Sequence, residues 1–182
     1  MKALIPLAKG FEEIEAIVVI DVLRRAGIDV IVASLEHGTV TASRKTKHLA
    51  GSLLQDVLDQ DFDLIVLPGG RPGADHLRDH LPLINKLKAQ DLEGRWLAAI
   101  CAAPLALHRA GILDGKVFTS HPTTVNELPR TRTEEQISVD GKLITAQGAG
   151  VSFEFAFEIV KQLCGSEKVN EVNQGLLFQV QH

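Results

Sequence analysis

The feature that most constrains the fold is a repeated alternation of short, continuously apolar segments with helical segments. Residues 3–7 (ALIPL) and 29–34 (DVIVAS) are apolar runs of strand length, and residues 11–27 between them have the character of a helix. Glu12 and Glu13 fall in the first turn of that helix, where acidic side chains complement the helix dipole. Strands without polar alternation, joined by a helix, are typical of a parallel sheet that helices cover on both faces.

The same alternation continues along the chain. Residues 63–67 and 96–100 are two further apolar runs and predict two more buried strands. The pair Asp140 and Gly141 between alternating segments indicates a β-hairpin, and residues 152–164 have the pattern of a helix. We therefore predict an α/β fold, namely a three-layer sandwich around a mostly parallel sheet.

Composition indicates one folded domain over residues 1–182. The chain is 45% hydrophobic and 23% charged, it contains no internal repeat or linker-like segment, and its length suits a single core. Its net charge is -4, and no run of basic residues is longer than the pair Arg24 and Arg25. We therefore expect no nucleic-acid or membrane partner, since both surfaces attract basic patches.

The remaining composition bears on localisation. No segment approaches the roughly 20 apolar residues of a membrane span, and the apolar run at the N terminus is too short for a signal peptide. Two cysteines, Cys101 and Cys164, do not form a disulfide framework. We expect a cytoplasmic protein with free thiols.

Cys101 stands directly after the apolar run 96–100, where a strand turns into a helix with Pro104 in its first turn. Sites in open α/β sheets form at the carboxyl ends of strands. A thiol there faces free backbone N–H groups and the positive end of a helix dipole, which predicts a lowered pKa and a nucleophile. The alternative is a buried structural cysteine. The residues alone leave both interpretations open.

Cys164 lies in the last turn of the helix predicted over 152–164. The dipole disfavours an anion at that end, and the neighbouring side chains are apolar. We interpret Cys164 as structural.

Glu15 falls inside an apolar stripe on the helical wheel of the first helix, formed by Phe11, Ile14, Val18 and Val22. A carboxyl group in such a stripe either reaches solvent at its edge or is desolvated. Desolvation raises the pKa, so that the group can stay protonated and donate a hydrogen bond. A nearby partner would favour the second alternative.

Gly69 and Gly70 follow the strand predicted over 63–67. Glycines at such a position permit a backbone path that points N–H groups at a developing negative charge, although an ordinary turn explains them equally well. The segment is neither a Walker A loop nor a G-x-G-x-x-G motif, so we set nucleotide binding aside.

Three histidines are candidates for a catalytic or metal-binding role. His121 precedes Pro122, which favours an extended or turn conformation over the sheet edge, and its imidazole is a candidate base or orienting partner for Cys101. His76 and His80 have the i, i+4 spacing of helical metal ligands, but no third ligand is evident. We predict that both are surface residues and that the chain has no metal site.

Six segments together resemble the DJ-1/ThiJ branch of the DJ-1/PfpI superfamily, in the same order and across nearly the whole chain. They are LAKGFEEIEA, DVLRRAGI, DLIVLPGG, AAICAAPLAL, TSHP and GAGVSFEFAFEIV. The resemblance implies a flavodoxin-like α/β sandwich, usually a homodimer, that needs no metal or organic cofactor.

The resemblance also assigns site residues. The reactive cysteine of the family falls on Cys101, and its partner glutamate, which is protonated and hydrogen-bonds the thiolate, falls on Glu15. The family histidine matches His121. The glycine whose backbone N–H points into the pocket matches Gly70, with the N–H of Ala102 as its counterpart.

Three arginines also have counterparts in the family, and the residues after Cys101 depart from the family pattern. Arg44 resembles an arginine near the pocket and dimer interface, while Arg24 and Arg25 resemble interface residues. The proteases of the superfamily have a histidine or glycine pattern next to the cysteine, whereas alanines follow it here, so protease activity is disfavoured. CAAP in place of the family's CAGP alters the room beside the helix start.

Two functions follow from the resemblance. The first is an enzyme acting on reactive dicarbonyls such as methylglyoxal, or on their early glycation adducts, as a glyoxalase or deglycase. Its Cys101 thiolate would attack the aldehyde, Gly70 and Ala102 would stabilise the oxyanion, and Glu15 and His121 would move protons. The alternative is a redox sensor or stress chaperone in which Cys101 becomes a sulfinate. Both functions use one site.

Overall fold

The computed structural model describes residues 1–179, and the strands and helices of this part alternate along the chain. The strands are β1 (Lys2–Leu7), β2 (Asp29–Ser34), β3 (Thr39–Thr41), β4 (Lys47–Leu49), β5 (Ser52–Leu53), β6 (Leu64–Leu67), β7 (Trp96–Ile100), β8 (Phe118–Thr119), β9 (Arg132–Thr133), β10 (Ile137–Asp140) and β11 (Leu143–Ala146). The helices are α1 (Glu13–Arg25), α2 (Gly73–Asp79), α3 (Leu81–Leu92), α4 (Pro104–Arg109), α5 (Ser152–Cys164) and α6 (Ser166–Leu176). Short 3₁₀ turns cover Leu54–Asp56, Pro122–Thr124 and Ala149–Val151.

Seven strands form the central sheet, in the order β10-β11-β7-β6-β1-β2-β5. Every neighbouring pair is parallel except β10 and β11, which form the antiparallel hairpin that Asp140 and Gly141 predict. Two small ladders stand outside this sheet, namely antiparallel β3-β4 and parallel β8-β9. The mostly parallel sheet is confirmed.

Helices cover both faces of the sheet, and the side chains of β6 show why its sequence is apolar throughout. Ile65 and Leu67 pack on the face covered by α2, α3 and α4, whereas Leu64 and Val66 pack on the face covered by α1, α5 and α6. Because both faces are buried, no polar alternation is possible. The three-layer sandwich is confirmed.

Helix α1 begins later than the sequence suggests, and its buried face differs from the predicted stripe. Phe11 precedes the helix, so it is not part of the helical wheel, and Ile14 is 51% exposed. The residues that α1 buries are Glu15, Ala16, Val19, Ile20, Val22 and Leu23. The prediction that Ile14 belongs to the buried stripe is therefore wrong, whereas Val18 is partly buried against the core and the prediction that Glu15 lies on the apolar side is confirmed.

The sheet brings the carboxyl ends of β1, β6 and β7 to one edge, since these three strands are adjacent and parallel. The chain reverses its direction of winding between β1 and β6, which is where ligand sites form in open α/β sheets. Glu15, Gly69, Gly70 and Cys101 all come from segments that follow these three ends.

Candidate active site

Cys101 occupies a sharp turn between β7 and α4. It is the residue after β7 and stands three residues before Pro104, the first residue of α4. Its φ is 63°, in the left-handed region that a non-glycine residue adopts at an energetic cost. Two backbone hydrogen bonds hold this conformation, because the Cys101 N–H donates to the carbonyl of Ala146 at 2.9 Å and the His121 N–H donates to the carbonyl of Cys101 at 2.8 Å.

Glu15 is the buried carboxyl group of the site. Its side chain is on the inner face of α1 and the residue is only 1% exposed, so the solvated alternative is wrong. Oε2 accepts a hydrogen bond from the Gly69 N–H at 2.7 Å. Oε1 is buried without a partner of normal hydrogen-bond geometry, which leaves it as the oxygen available to the neighbouring thiol.

Burial raises the pKa of Glu15 from 4.5 to about 7. Hydrogen bonds from Gly69 and from Cys101 act in the opposite direction, and the charge of Glu12 adds to the increase. Desolvation is larger than these hydrogen bonds because it penalises the charged form of an enclosed carboxyl group. Glu15 is therefore a carboxyl group that changes charge near neutral pH.

The surroundings of Cys101 act against the low pKa that its position in the sequence predicts. Burial and the charge of Glu15 raise the pKa of Cys101 from 9.0 to about 12, although hydrogen bonds from the N–H groups of Gly70 and Ala102 lower it. This direction is opposite to the sequence-based expectation, because desolvation and a nearby carboxylate act against the N–H groups that follow the strand.

The two groups titrate as a pair. Since the pKa of Glu15 is raised to about 7 and that of Cys101 to about 12, and the two groups interact directly, each proton that is lost belongs to the pair rather than to one residue. Between these values the pair holds one proton. That proton resides either on sulfur, with Glu15 ionised, or on Glu15, with Cys101 as the thiolate.

Gly70 supplies one of the two N–H groups that face the sulfur. Its φ is 83°, which favours glycine, and a Cβ at this position would lie 2.7 Å from the carbonyl oxygen of Gly10. The N–H groups of Gly70 and Ala102 both act to lower the pKa of Cys101 and so favour the charged form of its sulfur. These are the two N–H groups that the resemblance described above assigns to the pocket.

His121 is joined to Cys101 through its backbone. Its N–H binds the Cys101 carbonyl, whereas its imidazole Nδ1 lies 2.8 Å from the hydroxyl of Thr123. The ring carbon Cδ2 is the nearest atom to the position that a Cβ on Gly148 would occupy. The structure thus brings His121 to the site, and the contact that it makes with Cys101 is a main-chain contact.

The three arginines lie outside this centre. Arg44 is exposed in the β3–β4 turn, and its backbone N–H donates to Oε1 of Glu13 at 2.8 Å. Arg24 donates to the carbonyl of Val30 at 3.2 Å, and Arg25 forms an ion pair with Asp21 at 2.7 Å. Each arginine is exposed at the surface of the chain.

The other titratable candidates make local contacts. His76 Nδ1 donates to the carbonyl of Lys9, and His80 Nδ1 accepts from the N–H of Leu83 as a cap of α3. Both line an open cleft of about 440 Å³. Cys164 is the last residue of α5 and packs against the core, where burial raises its pKa.

Neither a metal centre nor a membrane segment is found in the part of the chain that the structure describes. Among residues 1–179, His, Cys, Asp and Glu side chains do not form a group of three or more that could hold a metal ion. Within the same residues, none of the helices combines the length and the apolar character needed to cross a bilayer.

Two contacts at or near the site, those of Gly69 and Glu13, are not predicted from the sequence. Gly69 separates Glu15 from Cys101, and the only sequence signal for it is a double glycine after a buried strand. Glu13, interpreted above as an acid that complements the helix dipole, also accepts hydrogen bonds from Ser43 and Thr46 of the β3–β4 turn. No local pattern predicts that second contact, because Glu13 and the turn are about 30 residues apart.

The fold and this site define a class of α/β proteins in which a cysteine at a strand-to-helix turn faces a buried glutamate. Residues 1–162 match the DJ-1/PfpI family. The chain belongs to that family, and its sheet and helices form the flavodoxin-like α/β fold.

Several relatives carry the name DJ-1. Protein DJ-1 homolog B of Arabidopsis thaliana is 46% identical over 98% of this chain, and the chain covers 42% of that protein, less than half its length. Protein dj-1beta of Drosophila melanogaster is 42% identical over 96% of both chains. The glutathione-independent glyoxalase DJR-1.2 of Caenorhabditis elegans is 36% identical over 88% of this chain and 87% of its own.

A solved structure of oxidized DJ-1 from Toxoplasma gondii has the same fold. It superposes with a TM-score of 0.94 at 36% sequence identity, over 98% of this chain and 99% of that chain.

Proposed function

We propose that the protein is a cysteine-dependent enzyme that acts on reactive dicarbonyls such as methylglyoxal or on their early glycation adducts. The observation that carries the proposal is the pair of Cys101 and Glu15, in which a nucleophilic sulfur adjoins a carboxyl group with a pKa of about 7. A general base is most effective when its pKa lies near the working pH. A relative that is 36% identical bears the name glyoxalase, which supports the same reaction class.

The first step of the proposed reaction forms a hemithioacetal. The carboxylate of Glu15 takes the S–H proton of Cys101, sulfur forms a bond with the aldehyde carbon, and the carbonyl electron pair moves to oxygen. Glu15 then returns the proton to that oxygen. The N–H groups of Gly70 and Ala102 stabilise negative charge on sulfur and on the neighbouring oxyanion.

The later steps rearrange the adduct without an external oxidant. A proton leaves the carbon attached to sulfur and returns to the adjacent carbon by way of an enediol, which gives a thioester. Water hydrolyses the thioester to lactate and restores the thiol. We assign the proton transfers to Glu15 and His121. The sum is one methylglyoxal and one water consumed for each lactate formed.

Lactate formation from methylglyoxal tests this proposal. The wild type should form lactate, Cys101→Ser should fall to the uncatalysed rate, and Cys164→Ser should match the wild type, since Cys164 lies in a different part of the fold. The Cys164 variant is the matched control for losing one thiol. Equal background rates in the wild type and in Cys101→Ser would sink the enzyme proposal.

Action on glycation adducts needs a separate measurement. A hemithioacetal of methylglyoxal with N-acetylcysteine releases free methylglyoxal spontaneously, so an enzyme that consumes only the free aldehyde drains the adduct indirectly. Direct deglycase action requires adduct loss faster than spontaneous dissociation, and it should depend on Cys101. If the adduct disappears no faster than it dissociates spontaneously, the enzyme has the glyoxalase reaction but not the deglycase reaction.

A second candidate function is oxidation sensing at the same cysteine. The N–H groups of Gly70 and Ala102 support it, because they would also bind sulfinate oxygens, and a solved DJ-1 structure with this fold is described as oxidized. Each of two peroxide molecules would transfer one oxygen to sulfur and leave as water. Peptide mass mapping should find two added oxygens on Cys101 and none on Cys164. Oxidation of Cys164 first would contradict it.

We also propose a homodimer in the cytoplasm. Ile14 and Ile17 are exposed apolar residues three apart on α1, so they share one face of the helix. A twofold axis beside this face would bury Ile14 and Ile17 of both chains of the dimer. We assign Arg24, Arg25 and Arg44 to the surroundings of that interface. Cys101 and Cys164 are both free thiols, which suits a reducing compartment.

A further inference from the structure

We infer that Arg132 is a positioning residue for Cys101: its buried guanidinium braces the segment that holds the carbonyl of the cysteine. The inference rests on the proposed function only in taking Cys101 as the reactive residue. Arg132 does not touch the sulfur, and it acts through Ser120 and His121.

The charged side chain of Arg132 lies almost wholly inside the protein, although the residue as a whole is partly exposed. Its side chain is 3% exposed. Nε donates to the hydroxyl of Ser120 at 2.9 Å, and Nη2 donates to the carbonyl of the same residue at 2.8 Å. Its ion-pair partner Glu134 is largely exposed, so the inner contacts of the guanidinium are those to Ser120.

An ordered series of hydrogen bonds connects this guanidinium to Cys101. The Ser120 hydroxyl lies 2.8 Å from that of Thr124, and the Thr124 hydroxyl donates to the carbonyl of His121 at 2.8 Å. Because Thr124 uses its proton there, Ser120 donates to Thr124 and accepts from Arg132. The His121 N–H then donates to the carbonyl of Cys101 at 2.8 Å.

The conformation of Cys101 explains why such a brace matters. A φ of 63° is energetically unfavourable for a non-glycine residue. The residue stays there only if its surroundings hold it. One of its two backbone hydrogen bonds comes from His121. If that segment shifts, Cys101 can relax toward a common conformation, and the sulfur leaves its position beside Glu15 and the Gly70 N–H.

An arginine is specifically required for this contact. The guanidinium presents several donors in a rigid plane, which allows it to bind the hydroxyl and the carbonyl of Ser120 at once. A lysine ammonium keeps the charge but lacks that planar fork. Arg132→Lys therefore separates the geometry of the brace from the presence of a buried positive charge.

The test measures the alkylation rate of both cysteines by iodoacetamide, with peptide mass mapping, so that Cys164 serves as an internal reference. In Arg132→Lys we expect Cys101 to react roughly tenfold more slowly, while Cys164 keeps its rate. With methylglyoxal, kcat should fall and KM should stay near its wild-type value. Arg95→Lys is the matched control, since Arg95 is another partly buried arginine that binds a backbone carbonyl.

A milder variant covers the case in which Arg132→Lys does not fold. Ser120→Ala removes the hydroxyl between Arg132 and Thr124 but leaves the carbonyl contact at 2.8 Å, and it should slow Cys101 severalfold. If Arg132→Lys folds and its Cys101 is alkylated at the wild-type rate, the inference is overturned. If Arg132→Lys does not fold, a wild-type alkylation rate of Cys101 in Ser120→Ala overturns it instead. If the wild type forms no lactate but alkylation of Cys101 is still slower in these variants, the proposed enzymatic function is wrong and the positioning role of Arg132 is supported.

Discussion

Glu15 and Cys101 face each other across Gly69. A Cβ added to this glycine would lie 2.6 Å from the Cβ of Cys101 and 2.7 Å from Oε2 of Glu15. No real Cβ contact is that short, so glycine is the only residue that lets both side chains occupy the site. The N–H of Gly69 also donates to Glu15 at 2.7 Å, and it thereby fixes the carboxyl group beside the thiol.

Replacing Gly69 by alanine should therefore disable the site. The methyl group must displace Glu15 or Cys101, which separates the pair, and we expect kcat/KM for methylglyoxal to fall at least tenfold, with a stability loss of about 1–3 kcal/mol from overpacking. Steady-state kinetics and urea denaturation measure the two effects. Gly51→Ala is the control, because its nearest neighbour, the carbonyl of Val32, would be 3.9 Å away. Wild-type kinetics in folded Gly69→Ala would contradict this account.

The pH dependence of Cys101 alkylation should report the pair. Below pH 7 both groups are protonated and no base adjoins the thiol, so the rate should rise as pH increases through about 7. In Glu15→Gln that inflection should vanish, because only a thiol whose pKa is raised by burial remains. The rate at pH 7 should then fall roughly a hundredfold.

Glu12→Gln is the matched control for that experiment. The charge of Glu12 contributes to the raised pKa of Glu15, so its removal should keep the inflection and move it below pH 7. An inflection that persists unchanged in Glu15→Gln would show that another group governs the reactivity of Cys101.

The raised pKa of Glu15 also affects stability. The folded state holds the proton more tightly than the unfolded state, with pKa values of about 7 and 4.5. The contribution is therefore fully present below pH 4.5 and is lost as pH rises through 7, a loss of roughly 3 kcal/mol. Glu15→Gln lacks this loss, so its stability relative to the wild type should increase between pH 5 and pH 8. Urea denaturation at both pH values checks the sign, and a difference that stays constant would refute it.

The contribution of Glu13 to stability should have the opposite pH dependence. Burial acts to raise its pKa, but hydrogen bonds from its own backbone, Thr46, Ser43 and Arg44 outweigh it and lower the pKa to about 2. Its contribution is therefore present above pH 4.5 and is lost as pH falls toward 2. Glu13→Gln should cost about 1 kcal/mol at pH 7 after solvent screening, measured by urea denaturation.

The control for Glu13 is another acid in the first turn of a helix. Glu167 is exposed at the start of α6, so Glu167→Gln loses only its interaction with the helix dipole and should change stability by a few tenths of a kcal/mol. Equal effects of the two substitutions would mean that the contacts with the β3–β4 turn contribute nothing.

The sheet was predictable because its strands are buried on both faces and are apolar throughout, as in Leu64–Leu67. Helix α6 was not predicted. Of its residues only Val172 is fully buried, and its apolar stripe of Val169, Val172 and Leu176 has just three members among polar residues. The face of α1 was misjudged for a related reason, since Ile14 and Ile17 are apolar and yet exposed.

The candidate site was predictable in its members but not in its electrostatics. The position of Cys101 after a buried strand and that of Glu15 among apolar residues are visible in sequence. The raised pKa of Cys101 depends on burial and on the charge of a group 86 positions away, which no local pattern encodes. The link from Arg132 to Ser120 likewise depends on the pairing of β8 with β9.

The exposed residues of α1 give the last prediction, which tests the homodimer. Apolar side chains at Ile14 and Ile17 should be covered in a twofold interface, so the wild type should sediment at twice the mass of one chain at micromolar concentration. Ile17→Asp places a charge in that interface without disturbing the core, because Ile17 is 42% exposed, and it should yield a folded monomer. Leu92→Asp, at an apolar residue that is 88% exposed at the end of α3, is the control and should remain dimeric. A monomeric wild type, or a dimer that survives Ile17→Asp, would remove this face of α1 as the interface.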